Sequence, residues 1–440
     1  MITSGEWDFL KIFAKLAKKP FVGIAKMQIV FLKMQNVGNI FAIFFFIVTF
    51  VVKMIMSLLT STPLLVSTFI MVLALLELRQ HPDRKPLVWL AIWAAATAML
   101  YAGHFVFFNH AYRWVPLSDT VYVSMNLLVY PLYLFYISEL TDSKPLSTQP
   151  ASILFLTLMP ALGGIFSGSL YYLMDSVQTE RFIHDYLYGG MREGLKGAVL
   201  AQAWMHTVCH SVFTLQVLMV VVCGHHQIKT YNHTVQQLYA DTDNKEIHHI
   251  SALLKLLVVI SFVSIIANTI GRNVFVGPSR LVVPSLLFSA LIFAIGYASL
   301  QQRFSMRDIK VDNDKVPLQS IEIPVVTSDN EMSMLFSQFD TLMDKKRLYL
   351  QHDLQLNDAA LLLGTNRTYL LRAIKSNASR TFKEYINRKR IAYAEQLLRN
   401  NPKLPKSEVA TLSGYDSLSA FYRNFSSFKS TPPDAVDSPE

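Results

Sequence analysis

The sequence reads DAALLLGTNRTYLLRAI at Asp358–Ile374 and, about fifty residues later, SEVATLSGYDSLSAFYRNF at Ser407–Phe425. Both stretches have an Ala four residues before a Gly and a Leu two residues before it. Both then continue with a polar residue and an apolar stripe that carries an Arg. A short helix that ends at a left-handed Gly and is followed by a second helix with a polar face is a helix-turn-helix. The sequence therefore predicts two helix-turn-helix units.

Residues that favour helix starts precede each of the four predicted helices. They are Asn357, then Thr365 or Asn366, then Pro405, and then Asp416 or Ser417. Gly364 and Gly414 are expected to end the first helix of each unit in the left-handed conformation.

One longer helix is predicted between the two units. Thr381 and Glu384 have capping-box spacing, and the helix should continue to about Asn400. Its apolar residues form two faces, which consist of Phe382, Tyr385 and Ile386 and of Ile391, Ala394, Leu397 and Leu398. Two faces on one helix indicate two separate cores. A helix of this size is about 30 Å long, close to the spacing of about 34 Å between successive major grooves on one side of a duplex.

The charge of this region favours a nucleic-acid partner. Residues 331–430 contain 16 Lys or Arg and 9 Asp or Glu, a net charge of +7 in a chain whose total is +9. Contacts to phosphate supply much of the affinity of a protein for DNA. We therefore expect residues 331–436 to be a domain that binds double-stranded DNA.

The chain before this domain has the composition of a membrane protein. The whole sequence is 52% hydrophobic and only 16% charged, against about 25% charged in ordinary soluble proteins. Seven segments are apolar and long enough to span a bilayer. They are residues 61–78, 86–108, 119–139, 150–174, 199–223, 251–270 and 281–300. The predicted fold class is all-α, with a seven-span transmembrane domain at 54–300 followed by a cytoplasmic all-α domain.

Two flanking regions complete the predicted organisation. Residues 1–53 are an N-terminal extension, and two interpretations of it stay open: an extra span at 39–56, or an artefact of start-site assignment. Residues 301–330 are predicted to be a flexible linker. A C-terminal domain that binds DNA must be cytoplasmic. In a bacterial inner membrane this places the loops 79–85, 140–149 and 224–250 on the cytoplasmic side.

The predicted spans contain few residues that indicate chemistry. His206, Cys209 and His210 share one helix face and have side chains that bind metals, but the Glu of a zinc protease is absent, so helix packing is the favoured interpretation. The aromatic segment 121–140 either lines a ligand cavity or belts a kinked helix. No phosphate-binding Gly loop and no nucleophile elbow occurs in the sequence. We expect no cofactor and no enzymatic activity.

The C-terminal hundred residues resemble the AraC/XylS family of bacterial transcription regulators. Four motifs carry the resemblance in the family's order and spacing: GTNRTYLLRAI, TFKEYINRKRIAYAEQLL, GYDSLSAFYRNF and the Pro-Pro of STPPDAV. The resemblance covers residues 334–436 and implies a seven-helix domain with two helix-turn-helix units. The whole chain looks like a membrane-bound subgroup in which a multi-span region replaces the usual soluble sensor domain.

The resemblance also implies which side chains meet DNA. Base-reading positions of the family correspond to Thr368, Leu371, Arg372, Leu418, Ser419 and Arg423. Phosphate contacts are expected from Asn366, Arg367, Tyr369, Lys375, Ser417 and Tyr422. Leu371 and Leu418 depart from the family's pattern, since an apolar side chain can only contact a thymine methyl group or pack inside the domain. Ser430 also stands where the family usually has Gly.

Two functions are consistent with these observations. The first is a one-component transmembrane regulator, whose partners would be DNA, the lipid bilayer, RNA polymerase, a second copy of the chain and an unknown signal ligand. The alternative is a transporter or membrane enzyme that carries a regulatory helix-turn-helix tail.

Overall fold

Long apolar runs of the sequence form long helices. The computed structural model describes residues 40–250, 254–255, 278–314 and 329–430. The helices of the first part are α1 (Ile40–Thr60), α2 (Thr62–Gln80), α3 (Pro86–Phe108), α4 (Val115–Thr141), α5 (Pro150–Leu173), α6 (Ser176–Arg181), α7 (Gly197–Leu238), α8 (Pro278–Gln301) and α9 (Met306–Asp314). The remaining helices are α10 (Asp329–Lys346), α11 (Leu356–Leu362), α12 (Arg367–Ala378), α13 (Phe382–Asn400), α14 (Lys406–Leu412) and α15 (Leu418–Ser430). Within these described ranges there is no β-strand, so the predicted all-α class is confirmed.

The chain divides into two compact units, which are described separately. The apolar unit consists of the described residues of Met1–Glu139, Lys144–His225 and His249–Gln301. The helix-turn-helix unit consists of the described residues of Leu140–Ser143, His226–His248 and Gln302–Glu440. Helix α7 contributes to both, because its residues up to His225 belong to the first unit and the rest to the second.

Six of the described helices are long and apolar enough to cross a membrane. They are α2, α3, α4, α5, α7 and α8, and they lie at six of the seven predicted spans. The seventh predicted span, 251–270, falls almost entirely outside the described residues. Helix α1 occupies the segment 39–56 for which an extra span was one interpretation, while residues 1–39 lie outside the described part of the chain.

The apolar unit has polar side chains inside and large apolar side chains outside. Ile165, Leu215 and Val222 are each about two-thirds exposed. Inside, the Gln202 amide donates a hydrogen bond to Ser167 Oγ at 2.7 Å, and the Gln216 amide donates to the Leu127 carbonyl at 3.0 Å. Helix bundles that face lipid have this arrangement, because polar groups in hydrocarbon must find partners within the protein.

The prediction of a loop at residues 224–250 is wrong for its first part, because helix α7 extends through it to Leu238. The helix continues from the predicted span to Leu238, 42 residues in all. Its polar end is stabilised within the helix-turn-helix unit by Ile228, Tyr231 and Val235, which are almost completely buried. Their spacing of three and four residues is the helical period, so a buried face was present in a stretch whose polar composition suggested a loop.

The segment predicted as a flexible linker, 301–330, is partly helical. Helix α9 covers Met306–Asp314, and α10 begins at Asp329, within the last two residues of the predicted linker. Residues 315–328 lie outside the described part. The Tyr239 hydroxyl donates to Asp312 at 2.9 Å, which fixes α9 within the helix-turn-helix unit.

Two hydrophobic cores organise the helix-turn-helix unit. The first core includes Phe339 and Met343 of α10, Leu370 and Ile374 of α12, and Phe382, Tyr385 and Ile386 of α13. The second core contains Val409, Ala410, Tyr415, Ala420 and Phe421, with Ala394 and Leu398 of α13. Helix α13 thus supplies one face to each core, and the prediction of a two-faced helix is confirmed.

Candidate nucleic-acid interface

The first helix-turn-helix is built by α11 and α12. Gly364 between them has φ +63°, the left-handed conformation that the sequence predicts. The Asn366 side chain accepts a hydrogen bond from the Tyr369 backbone N–H at 3.0 Å and so caps α12. The expected cap at Asn357 is wrong, because α11 begins at Leu356 and the residue that caps it is Gln355, two residues earlier, which forms a capping box with Asp358.

The second helix-turn-helix is built by α14 and α15. Pro405 directly precedes α14, as predicted. Gly414 has φ +84°, and a Cβ atom built there would lie 2.8 Å from the Leu350 carbonyl oxygen. Ser417 Oγ accepts a hydrogen bond from the Ala420 N–H at 3.0 Å, so of the two predicted starting residues it is Ser417 that caps α15.

Both second helices present exposed side chains at the predicted DNA-contact positions. On α12 these exposed residues are Arg367, Thr368, Arg372 and Lys375, while Asn366 and Tyr369 are half-buried. Around α15 they are Ser417, Leu418, Ser419, Tyr422 and Arg423. Leu371 differs, because it is half-buried and packs against the first core. The apolar departure at that position therefore has a packing role, whereas Leu418 stays on the surface.

Arg423 is exposed and also ion-paired. Its Nη2 atom lies 2.8 Å from both carboxylate oxygens of Asp243, which follows α7 in the chain. The Arg423 side chain is 62% exposed and that of Asp243 is 40% exposed. A residue expected to read bases is therefore in contact with a carboxylate of the same chain.

A second arginine, Arg390 on α13, is completely buried. Its Nη1 and Nη2 atoms donate to the two carboxylate oxygens of Asp241 at 2.8 and 3.1 Å. Nε donates to the Tyr349 carbonyl at 2.6 Å, and Nη2 donates to the Gln351 carbonyl at 2.7 Å. Arg390 lies where the two cores meet along α13, so it is a structural cation and cannot reach DNA.

Glu246 forms a third ion pair in the same region. The Lys383 ammonium on α13 lies 2.6 Å from Glu246 Oε1, and His248 Nε2 lies 2.7 Å from Oε2. Burial alone would raise the pKa of Glu246, but hydrogen bonding to His248 and the charge of Lys383 together lower it to about 2.

Sequence reasoning missed the role of these three acids. Asp241, Asp243 and Glu246 contact residues that are 149, 180 and 137 positions away along the chain. Helix caps and turns can be recognised from neighbouring residues, but no local pattern predicts a contact between residues so far apart in the sequence. The sequence itself showed only that three acids, Asp241, Asp243 and Glu246, lie within six residues.

The metal candidates within the apolar unit have other partners. His206 Nε2 lies 2.9 Å from Asp119 Oδ2, and the same oxygen accepts a hydrogen bond from the Tyr171 hydroxyl at 2.8 Å. The Cys209 thiol contacts Met205 Sδ, and the His210 ring packs edge-on to that of His206. Among the described residues, no group of three or more His, Cys, Asp or Glu side chains is placed to hold a metal ion.

A cavity of about 590 Å³ lies inside the apolar unit. The aromatic segment of α4 lines it through Tyr122, Asn126 and Tyr130. His104 faces Tyr122 with ring centres 5.1 Å apart, and Tyr130 meets Phe213 edge-on at 5.1 Å. The wall therefore combines aromatic and aliphatic side chains with polar groups that include His104, Asn126 and Arg192, and a concave site of mixed lining can hold a small molecule.

Comparison with known proteins identifies the helix-turn-helix unit. Residues 347–437 match a family model described as a helix-turn-helix domain, of the AraC type. This family is a DNA-binding regulatory domain and not an enzymatic one. No curated protein and no solved structure matches the chain significantly.

Proposed function

We propose that this protein is a membrane-anchored, sequence-specific transcription regulator in which a transmembrane sensor region controls a C-terminal double helix-turn-helix domain. The observation that carries the proposal is the AraC-type match at 347–437 in a chain that also has six helices of membrane-spanning length. A regulator of this kind would need no separate partner to transmit a signal from the bilayer to DNA.

The proposed DNA contacts come from α12 and α15, the second helix of each helix-turn-helix, which are here called the recognition helices. Thr368, Arg372, Leu418, Ser419 and Arg423 are exposed at positions suited to base contacts. Leu371 stays in the proposed base-reading set. The exposed part of its half-buried side chain would contact a thymine methyl group. The proposed phosphate contacts are Asn366, Arg367, Tyr369, Lys375, Ser417 and Tyr422.

Substitutions of two cations of α12, Arg372 and Lys375, should distinguish a base contact from a phosphate contact. Arg372→Ala should lower affinity by about 1–3 kcal/mol at one base position and relax sequence preference there. Lys375→Ala should weaken binding to all sequences alike. It should also reduce the slope of log affinity against log salt concentration by about 1, because one phosphate contact is lost. Binding of the full-length protein in lipid nanodiscs to a panel of single-base operator variants measures both. An unchanged sequence profile for Arg372→Ala would remove that residue from the base-reading set.

Membrane anchoring is supported by the exposed apolar surface of the apolar unit, which includes Leu215, and by the pairing of Asp119 with His206 inside it. A DNA-binding domain at the C-terminus requires a cytoplasmic end. A reporter fused at residue 300 should therefore report a cytoplasmic location. A periplasmic report would refute both the proposed topology and the proposed access to DNA.

The cavity of the apolar unit is the proposed site of the signal ligand. Its aromatic side chains and its polar groups, which include Asn126, His104 and Arg192, suit a small amphipathic molecule with a ring or acyl body. Tyr130→Ala and Asn126→Leu should change the transcriptional response to added small molecules and leave DNA binding of the unstimulated protein intact. Ile165→Ala, on the exposed outer surface, is the matched control that should leave the response unchanged.

Homodimerisation and contact with RNA polymerase complete the proposal. Two copies anchored in one membrane would raise each other's effective concentration on adjacent DNA sites without any new contact. Chromatin precipitation of the full-length protein would give the operator, and a repeated site within it would support a dimer.

A further inference from the structure

The segment Tyr239–Glu246, here called the acidic segment, follows directly after α7. It contains Asp241, Asp243 and Glu246, and each of these pairs with a different cation of the helix-turn-helix unit. The three cations are Arg390 and Lys383 on α13 and Arg423 on α15. The acidic segment therefore lies along the DNA-binding domain and contacts a helix of the second helix-turn-helix.

Two of the three ion pairs hold the segment in place. Asp241 and Arg390 form a bidentate pair in which the arginine is completely buried, and the Glu246 side chain is only 2% exposed where it meets Lys383. The backbone adds to this, because the Ala240 N–H donates to the Leu354 carbonyl at 3.0 Å and Ala240 is part of the first core. Such contacts fix a segment firmly, since a buried charge without its partner is costly.

The third pair differs from the other two. Asp243 and Arg423 are both well exposed, and Arg423 is at a position proposed to contact DNA bases. A carboxylate whose two oxygens both meet one guanidinium group offers the same chemistry as a phosphate or a base edge. The beginning of the segment also lies beside the first helix-turn-helix, since Tyr239 forms an isolated β-bridge with Gln355, the residue that precedes α11.

We propose that the acidic segment is an intramolecular competitor of DNA, in which Asp243 occupies Arg423 until duplex DNA displaces it. This inference rests on the proposed function and adds the regulation of the same site. Asp241 and Glu246 are the anchors that keep Asp243 in position, and Asp243 is the group that DNA replaces.

The strength of the contact suits a reversible restraint. Exposed ion pairs contribute at most about 1 kcal/mol, which corresponds to about a fivefold change in an equilibrium constant. Removing the Asp243 charge should thus tighten DNA binding by up to about fivefold. A buried pair at this position would block DNA permanently, whereas an exposed one can be displaced and is weakened by salt.

The test uses the full-length protein in nanodiscs of zwitterionic lipid and a mixed-sequence duplex of 40 base pairs. Asp243→Asn should bind the duplex up to about fivefold more tightly than the wild-type protein, and the gain should shrink as salt is raised. Asp243→Glu, which keeps the charge, should stay near the wild-type affinity. Glu408→Gln removes an exposed acid elsewhere in the same domain and measures the general effect of lost negative charge.

A double substitution makes the test specific to the contact. If Asp243 acts through Arg423, then Asp243→Asn should give no further gain in a protein that already carries Arg423→Gln. A gain from Asp243→Asn no larger than that from Glu408→Gln would overturn the inference. So would an equal gain in the presence and absence of Arg423. If neither the wild-type protein nor any variant binds the duplex in a salt-sensitive manner, the proposed function itself fails.

Discussion

Gly364 and Gly414 share the left-handed backbone but differ in their surroundings. A Cβ atom at Gly364 would meet nothing within 4 Å, whereas one at Gly414 would lie 2.8 Å from the Leu350 carbonyl oxygen. Gly364→Ala should therefore cost only the backbone strain of about 1–2 kcal/mol. Gly414→Ala should cost about 1–3 kcal/mol more, because the backbone of Leu350 must move. Hydrogen exchange of peptides from each helix-turn-helix measures the two effects, and equal losses would contradict the close approach at Gly414.

Arg390 is a residue whose replacement by lysine should not be conservative. Its guanidinium donates to Asp241, to the Tyr349 carbonyl and to the Gln351 carbonyl, and one ammonium group cannot reach all three. We expect Arg390→Lys to destabilise the helix-turn-helix unit by about 2 kcal/mol.

The matched control for Arg390→Lys is Arg399→Lys on the same helix. Arg399 is 77% exposed and lies 3.8 Å from Glu395, so its replacement should change the free energy of unfolding very little. Denaturation of the full-length protein followed by hydrogen exchange within 382–400 compares the two variants. Equal effects would mean that the buried network around Arg390 contributes no stability.

Glu246 gives the acidic segment a pH dependence. Its pKa is lowered from 4.5 to about 2 in the folded protein, so its contribution to stability is complete above the unfolded pKa and is lost as the pH falls through the folded pKa. The contribution is on the order of 3 kcal/mol as an upper bound. Protection of the Ala240 amide against exchange, corrected for intrinsic rates, should decline between about pH 4.5 and pH 2.

Glu246→Gln is the control for this pH dependence. Its amide cannot form the ion pair with Lys383, so protection of Ala240 should already be lower at pH 7 and should change less as the pH falls. If Glu246→Gln kept the full pH dependence of the wild-type protein, the group that titrates would be another carboxyl group.

At the scale of single elements, α12 depends on a cap residue for which two roles are predicted. Asn366 is expected both to cap α12 and to contact phosphate, and in the structure its side chain caps α12 by accepting a hydrogen bond from the Tyr369 N–H. Asn366→Ala should cost about 1 kcal/mol of helix stability and weaken DNA binding accordingly. Asn366→Ser keeps the cap. If serine restores both stability and affinity, capping accounts for the residue, and if only stability returns, a phosphate contact is also present.

The elements that the sequence predicted well are those with local causes. The Gly turns at Gly364 and Gly414, the capping box of Thr381 and Glu384 and the two faces of α13 all depend on residues within one or two helical turns of each other. Each could be recognised without knowledge of the rest of the fold, because the physical reason lies in neighbouring side chains.

The elements that the sequence predicted poorly depend on distant contacts. The polar end of α7 is helical because Tyr231 and Val235 pack within the helix-turn-helix unit, which polar composition alone does not reveal. The start of α11 was misplaced by two residues, and Gln355, which caps the helix, also forms a bridge with the distant Tyr239. Asp243 could not be linked to Arg423 because 180 positions separate them.

At the scale of the whole molecule, two units of opposite polarity share one chain. The apolar unit exposes side chains such as Val222 and pairs its polar groups inside, while the helix-turn-helix unit has apolar cores and a basic surface. These are the arrangements expected in lipid and in water respectively. One chain can therefore hold a DNA-binding domain at a membrane surface, which is the basis of the proposed function.

The most direct test of the account is hydroxyl-radical footprinting by the full-length protein in nanodiscs. The duplex would be one recovered by chromatin precipitation of the same protein. We predict two protected segments on one side of the duplex, with centres about 10 base pairs apart because α13 separates the two recognition helices by about 30 Å. Arg372→Ala should weaken one segment and Arg423→Ala the other. The absence of salt-sensitive protection at any site would contradict the claim that this chain binds DNA through two helix-turn-helix units.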